Sequence, residues 1–394
     1  MIIENNRLLN KRIEQKLIKI GDELPISKVL GLYTGETGRA LLYGYLSLHY
    51  NTENYITKTE NCLLSVFEEL KNQHFNATFC GGKSGILWGL WHLKEKGLIE
   101  MDGEFNFIIP ELKKVALKYA EENNFDFLHG SAGIIYYLLD IDAIDEVFIN
   151  TWLKLLYKFA YKNEGKYVWE TLINIETGKR AYNLSLSHGI SSTIIVLAEI
   201  IKKLPDNKLA LDLLEGSIKY LLACKLNKTV HSIFPGYIDG TNSNYGSRLS
   251  WCYGDLGNAI AFWRAGNLLN NDYWKKLALE IMSYSTSRKE LEINGLADAG
   301  FCHGTAGVAH IFNRFYKETK IREFDNARWY WLEKTLEMAK WPDGLVGYKV
   351  FRGGEGYQNE DNFLEGNTGI AMVLLGFLTD DVEDISWDRC FMLS

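Results

Sequence analysis

A cysteine and a histidine stand side by side in Phe301-Cys302-His303-Gly304-Thr305-Ala306-Gly307, just ahead of the apolar run Val308-Ala309-His310-Ile311-Phe312. Inside a helix, neighbouring side chains point about 100° apart, so this pair can address one point only where the chain is still turning into the helix. A thiolate and an imidazole at such a junction make half of a zinc site.

The other half is sought in the same register. Glycine elements recur at Gly35-Glu36-Thr37-Gly38, Gly82-Lys83-Ser84-Gly85, Gly130-Ser131-Ala132-Gly133, Gly189-Ile190-Ser191-Ser192, Gly254-Asp255-Leu256-Gly257, Gly304-Thr305-Ala306-Gly307 and Gly366-Asn367-Thr368-Gly369. Two positions before the first glycine stand Tyr33, Cys80, Leu128, Ser187, Cys252, Cys302 and Leu364. One position before stand Thr34, Gly81, His129, His188, Tyr253, His303 and Glu365. Three of the six cysteines and three of the eight histidines fall in these two registers, which are thus enriched in zinc-type ligands.

The elements that must position these residues follow from the repeat. The steps between first glycines are 47, 48, 59, 65, 50 and 62 residues, the signature of a repeat architecture. Each glycine element leads into a segment without a polar face, such as Ile134–Leu139 or Ile370–Leu375, and a helix apolar all round is buried on all sides. Between them lie amphipathic patterns. Leu63, Val66, Phe67 and Leu70 fall at i, i+3, i+4, i+7, as do Leu112, Val115, Ala116 and Tyr119 behind Pro110. Seven two-faced helices are expected near residues 6–21, 55–73, 106–122, 145–163, 205–227, 272–290 and 324–340, one before each glycine element. Seven two-faced helices alternating with seven buried ones predict an all-α fold, an α/α toroid with an inner barrel wrapped by an outer ring. No linker or composition shift interrupts it, so residues 1–394 read as one domain.

In a toroid, all seven glycine elements open inner helices on one rim. The extra length of the longer steps falls in the stretches 164–183, 228–247 and 341–361, which would fold over that rim. Tyr167 to Leu184 alternates like a small hairpin around Glu176-Thr177-Gly178. Seven helices spaced about 10 Å apart give a ring radius of roughly 11–12 Å, so elements three places apart stand about 20 Å from one another. Zn–S bonds are about 2.3 Å long. Cys252 and Cys302 open neighbouring inner helices and can share a metal with His303. Cys80 is three places from Cys252 and reads as a buried small residue, and His129 and His310 read as packing histidines. Three protein ligands leave a fourth position open, as in catalytic zinc sites. Two thiolates and an imidazole cancel the metal's charge, which suits activation of a substrate thiol better than hydrolysis.

The composition agrees with a soluble globular chain: 47% hydrophobic and 24% charged residues in 394. A net charge of −7 without a basic cluster argues against a nucleic-acid partner. No run of about eighteen apolar residues signals a transmembrane segment, and Met1 to Ile20 lacks a signal-peptide core, so a cytoplasmic location is expected. Six scattered cysteines read as thiols.

The motifs Ser187-His188-Gly189, Ser250-Trp251-Cys252-Tyr253-Gly254 and Cys302-His303-Gly304 together resemble those of lanthionine synthetase C-like proteins, the lantibiotic cyclases, and the resemblance runs from about Gly31 to Leu378. It implies an α/α toroid, one zinc per chain held by Cys252, Cys302 and His303, and formation of thioether rings. It implies His188 as general acid/base, with Asp126, Arg248 and Tyr253 lining the site. The implied partner is a dehydrated, Ser/Thr/Cys-rich precursor peptide, with a dehydratase and an exporter in a biosynthetic complex that would associate with the membrane. Two departures stand out: Ser192 replaces the second glycine of the fourth element, and the steps leave little room for the small extra subdomain of such cyclases. Three rivals are weighed against this reading. A protein prenyltransferase uses an Asp-Cys-His ligand set. A glycosidase needs paired carboxylates, where the register offers only Glu365. The third is a non-catalytic peptide- or glutathione-binding relative.

Overall fold

The computed structural model describes residues 2–394 apart from 73–74, 101–104, 175–176, 227–230, 241–245 and 380–385. Its described helices fall into seven consecutive pairs: α1 (Ile2–Glu23) and α2 (Glu36–Tyr50), α3 (Glu53–Asn72) and α4 (Lys83–Glu95), α5 (Ile109–Glu121) and α6 (Ser131–Asp140), α7 (Glu146–Phe159) and α8 (Ile190–Lys203), α9 (Lys208–Ala223) and α10 (Asp255–Leu268), α11 (Asp272–Ser285) and α12 (Thr305–Thr319), α13 (Arg322–Glu337) and α14 (Asn367–Leu378).

The two members of a pair differ as their sequences demand. In α7, only Phe148, Ile149, Trp152, Leu153 and Leu156 are buried, one stripe of an amphipathic helix. In α6, every residue from Ser131 to Leu139 is buried, and in α8 every residue from Ile190 to Ile201. The starts differ too. Asp145, Asn207 and Asn271 cap α7, α9 and α11 by accepting the N–H of Phe148, Ala210 and Trp274. The second helix of each pair is instead preceded by the first glycine of its element, with no side-chain cap. There the preceding turn supplies a backbone acceptor: Glu36 N–H donates to the Val29 carbonyl, Ser131 to Asn124, Thr305 to Asp298 and Asn367 to Glu360, at 2.9–3.2 Å. That turn passes where a side chain would stand. At Gly254, φ is +109° and a Cβ would run into the Arg248 carbonyl, so glycine is required on both counts.

The chain divides into two compact units. One comprises Met1–Asn76, Cys80–Asp102 and Gly295–Cys390. Within it, α12 packs on α14, α14 on α2 and α2 on α4, so the last glycine element neighbours the first. A belt of backbone bonds runs through the register two before each glycine: Cys302 N–H to Leu364 O (2.8 Å), Leu364 N–H to Tyr33 O (3.0 Å) and Tyr33 N–H to Cys80 O (3.0 Å). The 3-10 helix Ser386–Phe391 brings Trp387 and Cys390 into the core of this unit.

The other unit comprises Ala77–Phe79, Gly103–Asn294 and Phe391–Ser394, with α6 on α8 and α8 on α10. Here Leu186 N–H bonds Cys252 O at 2.9 Å, a bond of the same kind, with Leu186 one residue ahead of the register two before the glycine and Cys252 at it. The expected hairpin is present: β3 (Glu170–Asn174) pairs antiparallel with β4 (Lys179–Asn183), Thr171 opposite Ala181, although Glu176 itself lies outside the described residues. Two features were not foreseen. β5 (Tyr237–Ile238) adds to β4, and α7 ends at Phe159, short of residue 163, because β1 (Tyr161–Asn163) turns through Glu164 and Gly165, both at positive φ, to pair with β2 (Lys166–Val168). In the first unit, the stretch 341–361 folds as β6 (Val350–Phe351) against β7 (Tyr357–Gln358).

Candidate active site

His188 lies in the turn before Gly189, its backbone N–H held by Ser185 Oγ at 3.0 Å, and a quarter of its side chain is exposed. Asp126, four residues before Gly130, lies in the turn that opens α6. The two meet: His188 Nδ1 stands 2.7 Å from Asp126 Oδ2, while Asp126 Oδ1 accepts the His129 N–H, also at 2.7 Å. Burial alone would push the Asp126 carboxyl up, but the His188 charge and these hydrogen bonds hold it below the usual carboxylate range. Burial likewise opposes charge on His188, and Asp126, with a smaller contribution from Cys252, outweighs it and raises the imidazole above its ordinary value. Asp126 thus orients the imidazole through Nδ1 and favours its protonated form.

Tyr253 closes one side of this imidazole, with ring centroids 6.2 Å apart. Its hydroxyl takes a hydrogen bond from Asn183 Nδ2 at 3.1 Å, and burial pushes its pKa up to about 12, so the phenol stays protonated. The turn carrying Tyr253 is tied by the buried Ser250, whose Oγ donates to the Tyr253 carbonyl at 2.8 Å and lies 3.5 Å from Cys252 Sγ. Arg248 is exposed and makes no hydrogen bond or ion pair with the described residues. Neither Asp126 nor Arg248 therefore belongs to a structural ion pair with the other.

Cys302 and His303 occupy the turn before α12, Cys302 buried and His303 about one-fifth exposed. Cys302 and His303 in the first unit, and Cys252 in the turn before α10 in the second, each present a sulfur or nitrogen donor from a residue that opens an inner helix. Two thiols and an imidazole are donors of the type zinc prefers, so the chemistry of this set fits that metal. Cys80 stands on the backbone belt of the first unit, its carbonyl accepting the Tyr33 N–H at 3.0 Å.

His310 is a packing histidine: it is fully buried on Asp388, Nε2 to Oδ2 at 2.8 Å, with Arg314 on the same carboxylate. His129 is not. It is exposed and its ring stacks on His188, centroids 5.8 Å apart with 18° between planes. The signal was its register, shared with His188 and His303. Two more residues escaped the sequence reading. Asn183, which orients Tyr253, stands six before Gly189. Asp298, which faces His303, stands six before Gly304, and both Asn183 and Asp298 lie where a Cβ on the glycine six residues on would stand.

Residues 28–392 match the family described as "Lanthionine synthetase C-like protein", and this chain belongs to that family. It is 23% identical to the nisin biosynthesis protein NisC of Lactococcus lactis subsp. lactis over 374 residues, 88% of this chain and 85% of that protein. The solved structure of a nisin cyclase superposes with a TM-score of 0.72 at 20% identity, covering 99% of this chain and 98% of the other. The fold is therefore an all-α, α/α toroid. Among the described residues, no helix is long and apolar enough to cross a membrane.

Proposed function

We propose that this protein is a zinc-dependent lanthipeptide cyclase, adding cysteine thiols of a dehydrated precursor peptide to dehydroalanine or dehydrobutyrine to form thioether rings. Family membership supports cyclisation as the activity. The observation that carries the catalytic reading is the His188–Asp126 pair, set in one unit with Cys252 and Tyr253. A protein that merely held a peptide or glutathione would have no need of a carboxylate-oriented imidazole there.

Cys252, Cys302 and His303 would hold the zinc. Bound there, zinc supplies the positive charge that keeps a substrate cysteine deprotonated at neutral pH. The rest falls to the chain. As the peptide sulfur adds to the β-carbon, the C–S bond forms, the alkene π-bond breaks and charge moves onto the enolate. His188, held at Nδ1 by Asp126, gives its Nε2 proton to the α-carbon, which completes the thioether. Arg248, exposed and without a partner among the described residues, is available to the enolate oxygen. The Tyr253 phenol, protonated throughout, donates a hydrogen bond to the peptide beside it. The dehydratase that supplies the substrate, the exporter that follows it and a cytoplasmic location complete the proposal.

The test uses a peptide carrying a dehydro-residue and a free cysteine. Incubation with the zinc-loaded protein should consume the thiol faster than the unaided background, counted by alkylation and mass spectrometry, and should give a single ring stereochemistry. Background rates with racemic rings would defeat the reading.

A further inference from the structure

His303 lies between two carboxylates. Its Nδ1 stands 3.8 Å from Glu365 Oε1 and its Nε2 3.9 Å from Asp298 Oδ2. The two acids are not equivalent. Asp298 is buried, and each of its oxygens accepts a backbone N–H, from Gly300 at 2.9 Å and from Phe351 at 3.0 Å. Glu365 is held through Oε2 alone, by Arg352 at 2.5 Å, and its Oε1 receives no hydrogen bond from the described residues. Arg352 is fixed in turn by Glu360 at 2.8 Å and directly follows β6. The β6–β7 hairpin thus pins both acids, Asp298 through a backbone amide and Glu365 through a guanidinium.

We propose that Glu365 is the positioning residue for His303. Its open Oε1 takes the Nδ1 proton of the imidazole, which leaves Nε2 as the metal donor, and Arg352 latches the carboxylate in place. The inference rests on the zinc reading above. The present 3.8 Å is an ion-pair separation. An N–H···O bond requires about 3.2 Å or less, so a shift of about 0.6 Å in a side chain already in range completes it. The chemistry favours the arrangement, because a carboxylate on the far nitrogen fixes the tautomer and raises the basicity of the ligand. Charge favours it as well. Two thiolates and an imidazole already neutralise a divalent ion, and Arg352 offsets the further negative charge that Glu365 brings.

The test is zinc affinity of the full chain, by competition with a chromophoric chelator. Losing such an outer partner ordinarily costs about 10–100-fold in metal affinity, and Glu365→Gln should fall in that range. Arg352→Gln should lose less, and Arg352→Lys should recover part of that loss by restoring a charge beside Glu365. Thermal melts of the metal-free Glu365→Gln protein should match the metal-free wild type, since a merely structural role would lower both forms. Nitrogen-15 shifts of the zinc-loaded protein should place the metal on Nε2 and the proton on Nδ1 of His303. Zinc affinity in Glu365→Gln within about twofold of wild type, or metal on Nδ1, overturns the proposal. A wild-type chain that takes up no zinc at all overturns the zinc reading beneath it.

Discussion

His188 Nδ1 lies 2.7 Å from Asp126 Oδ2, although the two residues are 62 positions apart in the chain. What joins them is the repeat. Each stands in the turn ahead of an inner helix, and α6 and α8 are packed side by side, so neighbouring turns meet at their ends. A short turn residue on one element becomes the orienting group for a histidine on the next.

The first prediction isolates the imidazole. His188→Asn removes the proton donor while leaving Cys252, Cys302 and His303 intact. The variant should retain zinc and bind precursor peptide, and cyclisation should slow by about 10²–10⁴-fold, the usual contribution of a general acid–base group. Wild-type rates in zinc-replete protein would remove His188 from the mechanism. Loss of zinc would make it a ligand.

The second prediction concerns pH. Burial disfavours charge on His188, and Asp126 reverses this and raises its pKa, so the imidazolium persists above the ordinary value of 6.5. A rate that needs His188 as acid falls as pH rises through that raised pKa. In Asp126→Asn the descending limb should move to lower pH. Stability carries the same signature. The His188 contribution is fully present below 6.5 and is lost as pH rises through its folded pKa. The Asp126 contribution is present above 3.8 and is lost as pH falls through its lowered value. Denaturant midpoints of wild type and Asp126→Asn should therefore differ most between those two values, and a pH-independent difference would contradict the pairing.

How much of this was legible beforehand depends on the kind of interaction. The seven helix pairs were readable because burial on one stripe or all round writes a period into the sequence, as in α7 and α6. The ligand registers were readable because each glycine marks the same point in a repeated turn. Long-range partners were not. Nothing near His303 announces Glu365, which reaches it through packing across neighbouring elements, and nothing in the sequence said that His129 would stack on His188 and not enter the core. The strand β5 also escaped, because two residues are too few to show alternation.

A third prediction separates the cysteines. Cys252→Ala should lose zinc almost completely in metal analysis, because a two-ligand remainder cannot hold the ion. Cys80→Ala should keep it, since Cys80 lies outside the donor group. Zinc loss from the Cys80 variant would refute the ring argument that separated them.

Metal removal gives the fourth. The turns that carry Cys302 and Cys252 are bonded to their neighbours through backbone, Cys302 N–H to Leu364 O and Leu186 N–H to Cys252 O, without help from a metal. Structural zinc sites supply folding energy outright, and an open three-ligand site on a preformed scaffold should not. Chelation should abolish cyclisation and leave the helical circular dichroism unchanged. Collapse of that signal would make the site structural.

The last prediction concerns the loop that carries Arg248. Asp255, the first residue of α10, is fully buried and accepts the backbone N–H of Ile233 and of Phe234 at 2.9–3.1 Å, while Arg288 NH1 pairs with it at 2.8 Å. Arg288 also donates to the Ser247 carbonyl at 2.7 Å, one residue before Arg248. The pair thus ties both ends of the described loop to α10. Asp255→Asn keeps an acceptor for the amides but leaves the Arg288 guanidinium buried and uncompensated. Breaking such a pair costs about 3–5 kcal/mol, so urea unfolding should show a loss of that order. Residues 231–240 and 246–250 should become cleavable by protease before the rest of the described chain, and cyclisation should weaken because Arg248 loses its mooring. A variant within about 0.5 kcal/mol of wild type, the range of an ordinary surface change, would mean that the loop is held by other contacts.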